Sequence, residues 1–326
     1  MKKKFLFLMT LLAVSLLALA EMTVYVYKKD GTKVPYVAST VDSIGFVNVH
    51  TITFNANGGT GSMDVVRVKD GESIALPANG FTYAKAEFAG WNTAANGSGT
   101  AYADKGSVKP TANITLYAQW ESITSGFVNG HEWVDLGLPS GTKWATCNVG
   151  ADSPEDYGDY FAWGETTTKS TYDWSTYKWC RDSYDTMTKY CIDDFWGTVE
   201  DNKIFLDYSD DVAYVKWGSP WKMPTTWDMK ELMDANYTTW TWTTQNGISG
   251  YKVTSKVNGN SIFLPAAGYR GTYDLLEAGS DGYYWSSSLD TGNSSYAYHL
   301  SFGSDYVGSY NYSRRFGSSV RPVLRE

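Results

Sequence analysis

Apolar and polar positions alternate with a period of two through much of this chain, and stretches with a helical period are few. Residues 23–27 read TVYVY, the pattern turns at Asp30 and Gly31, and it resumes through Val34, Tyr36 and Val37. Asp-Gly supplies the positive backbone angles of a tight turn, so this segment predicts a β-hairpin. Two strands are too few to fold alone in water. Further short strand signals lie at Thr51 to Asn55, Asp64 to Val68, Glu72 to Leu76, Phe88 to Trp91 and Ile114 to Trp120, separated by turn residues. A polar run with Ser122, Ser125 and Gly126 then reads as a linker over residues 122–130, and a last domain begins near His131.

Within that domain Trp133 to Leu136, Lys143 to Val149 and Gly158 to Trp163 are strand-like. Ser209, Asp210 and Asp211 form a predicted cap and first turn for a helix through Val212, Val215 and Lys216, the acids suiting the positive helix end. Thr226 is the expected cap of a second helix, with Met229, Leu232 and Met233 at i, i+3 and i+4, and Asn236 is its expected end. Strands and turns follow from Thr238 onward. Near the C terminus Tyr298, Leu300 and Phe302 alternate with His299, Ser301 and Gly303, which predicts a half-buried strand with one face in a core. The other face, with the segment Asp305 to Arg315, carries Tyr, Ser, Asn, Gly, Asp and Arg. Binding loops favour that mixture, because tyrosine gives rigid contact area at small entropic cost. Ordinary strand and turn residues would have the same composition.

A length of 326 residues accommodates two or three domains. The aromatic content and the abundance of Gly point to a β-rich, turn-rich class, mostly β with an α+β C-terminal domain. Residues 1–20 divide into a basic start, an apolar run from Phe5 to Leu17 and a small-residue end, which predicts a cleaved secretory leader and a mature start at Glu21. The apolar run is too short for a membrane span and no second one follows, so a protein that does not span the membrane once the leader is removed is expected. No Cys follows the cleavage region, so no lipid attachment is indicated there. Leu138 to Thr142 has the wrong order for a wall-sorting motif. A secreted or cell-surface location is therefore expected.

Loss of Lys2, Lys3 and Lys4 with the leader leaves 24 basic side chains (27 − 3) against 35 acidic ones, a formal charge of −11 (24 − 35). A phosphate backbone calls for a clustered basic surface, so nucleic acid is not an expected partner. Cys147, Cys180 and Cys191 allow one bridge and leave one thiol, and Cys180 with Cys191 is the closest pair in sequence. With three histidines and no metal-ligand spacing, no metal site and no cofactor are expected. The acidic runs Asp193, Asp194 and Asp207, Asp210, Asp211 read as solvated loop acids. Trp174, Trp179, Trp196, Trp217, Trp221, Trp240 and Trp242 are expected mostly in the core.

Two resemblances add to this. TITFNANGG from residue 51, the run Phe88, Ala89, Gly90, Trp91, Asn92 and the closing run Ile114 to Trp120 resemble the Listeria/Bacteroides repeat, also called the internalin B repeat. The resemblance implies a β-grasp module over residues 50–121, of a kind found in bacterial surface and secreted proteins as a spacer. The second rests on Trp144 to Ala151, Tyr157 to Glu165 (YGDYFAWGE), Trp221 to Thr225, Leu264 to Arg270 (LPAAGYR), Tyr284 to Ser288 (YWSSS) and Gly317 to Val323 (GSSVRPV). These resemble the Fibrobacter major paralogous domain and its Bacteroides relatives, over residues 131–326. That family shares a C-type-lectin-like fold with sulfatase-modifying factors and with the variable proteins of diversity-generating retroelements.

In the retroelement targets the ligand-contacting positions lie between a Trp-Ser-Ser anchor and a Ser-Val-Arg anchor. Carried across, this implies ligand contacts at His299, Ser301, Asp305, Tyr306, Ser309, Tyr310, Asn311, Tyr312, Arg314 and Arg315, between the structural anchors Trp285, Ser286, Gly317 and Arg321. Arg321 is expected beneath the surface as a hydrogen-bond hub. Trp285, Ser286 and Ser287 stand where the calcium motif of animal lectins would lie, so calcium is not expected there. The oxidase branch of the fold depends on a late cysteine pair, which this chain lacks. The expected function is an adhesin-like binding protein for a protein or glycan, and not an enzyme. A structural component of a surface assembly and an enzyme of the sulfatase-modifying type are the alternatives.

Overall fold

The computed structural model describes residues 23–28, 30–43, 47–84 and 86–325. The expected leader lies outside the described residues. The fold is mostly β and divides into two compact units, the first ending at Glu121 and the second starting at Ser122.

In the first unit β1 (Thr23–Tyr27) and β2 (Lys33–Val37) pair antiparallel, with Tyr25 opposite Pro35. The Asp30 carboxylate accepts from the Thr32 N–H at 2.9 Å and the Thr32 hydroxyl at 2.6 Å, which closes the hairpin turn. The rest of the unit is built from β3 (Val49–Asn55), β4 (Val66–Lys69), β5 (Ile74–Ala75), β6 (Ala86–Asn92), β7 (Ala101–Tyr102), β8 (Ser107–Val108) and β9 (Ile114–Ser122). One sheet has the order β4-β3-β9-β6-β7, with β3 and β9 parallel and Ile52 opposite Ile114. Parallel neighbours need a crossover, and here strands and turns supply it; no α-helix occurs among the described residues of this unit. The sheet buries Ile52, Phe54, Leu116 and Ala118 with Trp91, and Leu76, Phe81 and Val108 complete the core. The rings of Phe54, Phe81 and Phe88 lie 5.0, 6.0 and 4.8 Å from that of Trp91.

The second unit begins with β10 (Ser125–Val128), β11 (His131–Asp135) and β12 (Lys143–Ala145), followed by a long irregular stretch, α1 (Val212–Trp217), β13 (Trp221–Lys222) and α2 (Thr226–Met233). It continues with β14 (Thr238–Gln245), β15 (Ile248–Ser255), β16 (Ser261–Pro265), β17 (Tyr269–Arg270), β18 (Leu275–Leu276), β19 (Gly282–Leu289), β20 (Tyr296–Gly303), β21 (Tyr306–Ser313) and β22 (Val323–Leu324). The last strand returns to lie between β12 and β13, with Val323 opposite both Trp144 and Lys222. Helix α2 packs on the antiparallel sheet β19-β20-β21, where Met229, Leu232, Leu300 and Phe302 share one core cluster.

Four local expectations need correction. Residues 125–128 of the expected linker are the edge strand β10, paired with β11. The stretch Gly158 to Trp163 is irregular apart from a bridge between Phe161 and Ser318; Phe161, Ala162 and Trp163 are apolar because they are buried, not because they extend in a sheet. The cap of α2 is Thr225, whose hydroxyl accepts from the Asp228 N–H in a reciprocal box, and the helix ends at Asp234, before Asn236. Asp210 and Asp211 are buried: Asp211 caps α1 by accepting from the Ala213 and Tyr214 N–H groups, and Asp210 pairs with Lys189 at 2.5 Å.

Candidate functional site

Residues directly opposed in an antiparallel sheet share a face. In β19-β20-β21 the residue opposite both Tyr283 and Gly308 is Ser301, and the residue opposite both Trp285 and Tyr310 is His299. That face carries a layer of tyrosines. Tyr269 lies 5.0 Å from Tyr283 and 5.5 Å from Tyr312, and Tyr312 lies 4.9 Å from Phe316, ring centre to ring centre. Two glycines make room for this layer. A Cβ at Gly303 would stand 2.6 Å from the Tyr306 ring, and one at Gly308 would stand 2.6 Å from the Tyr310 ring. The Tyr306 hydroxyl donates to Asp281 at 2.9 Å and lies 3.3 Å from the Ser301 hydroxyl. The Tyr283 hydroxyl donates to Glu277; burial first and that carboxylate second hold the phenol well above its ordinary pKa.

The ten residues implied as ligand contacts separate into different environments. Asp305, Tyr306, Tyr310 and Asn311 are exposed, Tyr310 by 51%. Ser309, Tyr312 and Arg315 are half-buried. His299, Ser301 and Arg314 are buried, and for these the expectation is corrected. His299 and Ser301 lie on the sheet face opposite to Leu300 and Phe302, and that face is covered too: the His299 ring is 5.5 Å from Tyr283, 5.4 Å from Tyr312 and 5.7 Å from the fully buried Trp285. With its Nδ1 unpartnered, burial pushes the imidazole pKa down to about 3.

Arg314 acts as a bolt. Its Nε donates to the Tyr177 hydroxyl at 2.8 Å, its guanidinium to the carbonyls of Ser294 (2.7 Å), Tyr190 (3.0 Å) and Lys189 (3.1 Å), and it stacks 4.8 Å over Trp163. These contacts tie the irregular stretch before α1 to the end of the sheet. Arg321, also buried, donates to the Asn148 side chain and to the carbonyls of Ala145, Thr146 and Phe263. Around the other anchors, Trp285 Nε1 donates to the Phe161 carbonyl, the Ser286 hydroxyl to Tyr298, and Gly317 exchanges both backbone bonds with Arg270.

Where the sheet ends, a cleft of about 390 Å³ opens. Trp174, Tyr184 and Trp196 line it from the irregular stretch, and Asn293, Tyr296, Arg315 and Phe316 from the β19–β20 turn and the strand ends. Trp174 opens a short 3-10 turn capped by Asp173. Arg315 is steadied by bonds to the Tyr172 carbonyl (3.0 Å) and the Thr272 hydroxyl (3.4 Å), and its guanidinium sits 4.0 Å over the Phe316 ring. Trp174 and Trp196, expected in the core, are half-buried cleft walls. No periodicity marks an irregular segment, so nothing in the chain's pattern distinguishes a cleft tryptophan from a core one.

The possible bridge between Cys180 and Cys191 does not form, and both are free thiols, as is Cys147. Two of these thiols turn to a carbonyl of their own loop, Cys180 to Trp174 at 3.1 Å and Cys191 to Asp193 at 3.0 Å. Among the described residues no group of three or more His, Cys, Asp or Glu is placed to hold a metal ion.

The two tyrosines opposite His299 and Ala297 should behave differently when removed. Tyr310→Ala is expected to change unfolding stability by less than about 0.5 kcal/mol, because the ring is mostly in water. Tyr312→Ala, which removes a ring packed on the core, is expected to cost about 2 kcal/mol. Equal losses in urea titrations would show that the whole layer is core.

A family model described as the Listeria-Bacteroides repeat domain matches residues 50–119, and a model described as a domain of unknown function (DUF8237) matches residues 228–323. No curated protein matches the chain, and no solved structure does. The second match covers the tyrosine layer and the Asn293, Tyr296, Arg315 and Phe316 side of the cleft, and leaves Trp174, Tyr184 and Trp196 outside it. In its first unit the chain is thus similar to a repeat typical of bacterial surface proteins, and in its second to a domain without an assigned role, over which the cleft is half built.

Proposed function

We propose that this is an exported bacterial surface or secreted binding protein that recognises a glycan through its C-terminal unit, with no turnover of the ligand. The observation that carries the proposal is the aromatic cleft beside the half-buried tyrosine layer, with Asn293 and Arg315 at hand for hydrogen bonds. Sugar rings offer apolar C–H faces that pack on indole and phenol rings, and hydroxyls that need directional polar partners. A C-type-lectin-like arrangement is supported by the closing strand β22 returning beside the early strand β12. Export is supported by the leader-like residues 1–20 and by the repeat, to which the proposal gives the role of a β-grasp spacer. Among the described residues no helix is long and apolar enough to cross a membrane. No cysteine follows Cys191, so the thiol pair of the sulfatase-modifying oxidases has no counterpart.

The test is an array of neutral and acidic glycans probed with the full chain and with the variant Tyr184→Ala/Trp196→Ala. Wild type should bind a defined subset, and the variant should bind it about 10- to 100-fold more weakly, as expected for removing aromatic hot spots. Absence of glycan binding by the wild type overturns the proposal. Concentration-dependent self-association in its place would favour a structural component of a surface assembly.

A further inference from the structure

A second cleft, of about 530 Å³, is lined by Asp159, Lys169, Tyr172, Arg270 and Tyr273; the Tyr172 carbonyl accepts from Arg315, which lines the aromatic cleft. That volume lies within the roughly 300–1,000 Å³ range of small-ligand sites. Its cations are not equivalent. Lys169 is already neutralised by Glu165 at 2.9 Å and also donates to the Thr176 carbonyl at 3.1 Å. Arg270 is held by two backbone bonds to Gly317, at 2.7 and 3.0 Å, and its guanidinium lies 5.7 Å from the Tyr160 ring centre. Yet its guanidinium has no hydrogen-bond acceptor and no carboxylate partner among the described residues. By contrast Arg314, Arg315, Arg321 and Arg325 all donate to named oxygens. A half-buried fork of five donors has lost part of its hydration and gained no anion in exchange.

The geometry points to this second cleft as the subsite for an anionic substituent, a carboxylate or a sulfate, on the glycan whose ring occupies the aromatic cleft. This rests on the glycan reading above. The guanidinium plane matches either anion with two parallel hydrogen bonds, which a lysine cannot do. Thr168, Ser170 and the exposed Tyr273 supply further hydroxyls at the rim. One ligand can reach both clefts, since Tyr172 lines the second and Trp174 the first, and two residues of extended chain span only about 7 Å.

Binding of the full chain to matched polymers tests the assignment: polygalacturonate against its carboxyl-reduced form, and dextran sulfate against dextran. The acidic member of at least one pair should bind about 10-fold or more tightly than its neutral partner, and the preference should weaken with added salt. Arg270→Gln should abolish the preference while leaving neutral binding unchanged, and Arg270→Lys, which keeps the charge and guards against a folding artefact, should retain part of it. An acidic preference that survives in Arg270→Gln overturns the subsite but not the glycan reading. Equal binding of both members of each pair does the same. Failure of the wild type to bind any of the four polymers, together with a blank glycan array, overturns both.

Discussion

Replacing Arg314 by alanine is expected to destabilise the C-terminal unit by about 3–5 kcal/mol, because it leaves several buried acceptors unsatisfied and a cavity where a long, fully covered side chain stood. Four acceptors lose their donor at once: the Tyr177 hydroxyl and the carbonyls of Lys189, Tyr190 and Ser294. A buried acceptor without a partner costs about 1–3 kcal/mol, and water cannot easily enter a site where the side chain is fully covered. Arg314→Lys should still lose about 2 kcal/mol or more, because an ammonium cannot span four acceptors in the plane of a fork. Ligand binding should fall with either change, since the loop released is the one bearing Trp174, Tyr184 and Trp196. Denaturant titration of the variants decides this. A loss below about 1 kcal/mol with binding selectively abolished would return Arg314 to the ligand surface.

Lowering the pH from 7.5 to 5 is expected to remove about 2 kcal/mol of stability through His299 alone. The folded-state pKa is depressed to about 3 by burial, with no carboxylate beside the ring, whereas an unfolded histidine titrates near 6.5. Below about pH 6.5 the unfolded chain therefore binds a proton that the folded chain does not. This contribution is complete above pH 6.5 and is lost as the pH falls towards 3, by up to about 1.4 kcal/mol per pH unit. His299→Phe, measured against its own stability at pH 7.5, should show a shallower acid loss than wild type by about 2 kcal/mol at pH 5. Parallel pH profiles for the two proteins would mean that the folded imidazole takes up its proton freely.

Much of the secondary structure was legible along the chain because local chemistry dictates it. Asp30 and Gly31 set the first hairpin turn, and the apolar alternation around Phe54, Trp91 and Leu116 marked the strands that build the first core. Asp211 and the Thr225 region were readable as helix starts because short polar side chains satisfy free N–H groups within a few residues. The misreadings arose where burial and strand formation use the same residues. Phe161, Ala162 and Trp163 look like a strand, yet they are core residues on an irregular backbone. Residues 125–128 look like a linker, yet they pair at a sheet edge, where one face stays in water and polar residues are tolerated.

By itself the sequence determined that the second unit ends in a tyrosine-bearing ribbon between two anchors, because period-two alternation and the YWSSS and GSSVRPV runs are local features. It could not say which polar side chains of that ribbon meet solvent. Arg314 and Arg315 are adjacent and identical in type, but beyond the last residue of β21 one turns into the unit to bolt a loop and the other turns out into a cleft. His299 and Ser301 alternate with the core residues Leu300 and Phe302 and are still sealed, because Trp285 and tyrosines from neighbouring strands lie against them. Exposure depends on what the rest of the chain places above a residue. The cleft likewise joins residues more than a hundred positions apart, and only packing brings Trp174 and Trp196 opposite Tyr296 and Phe316.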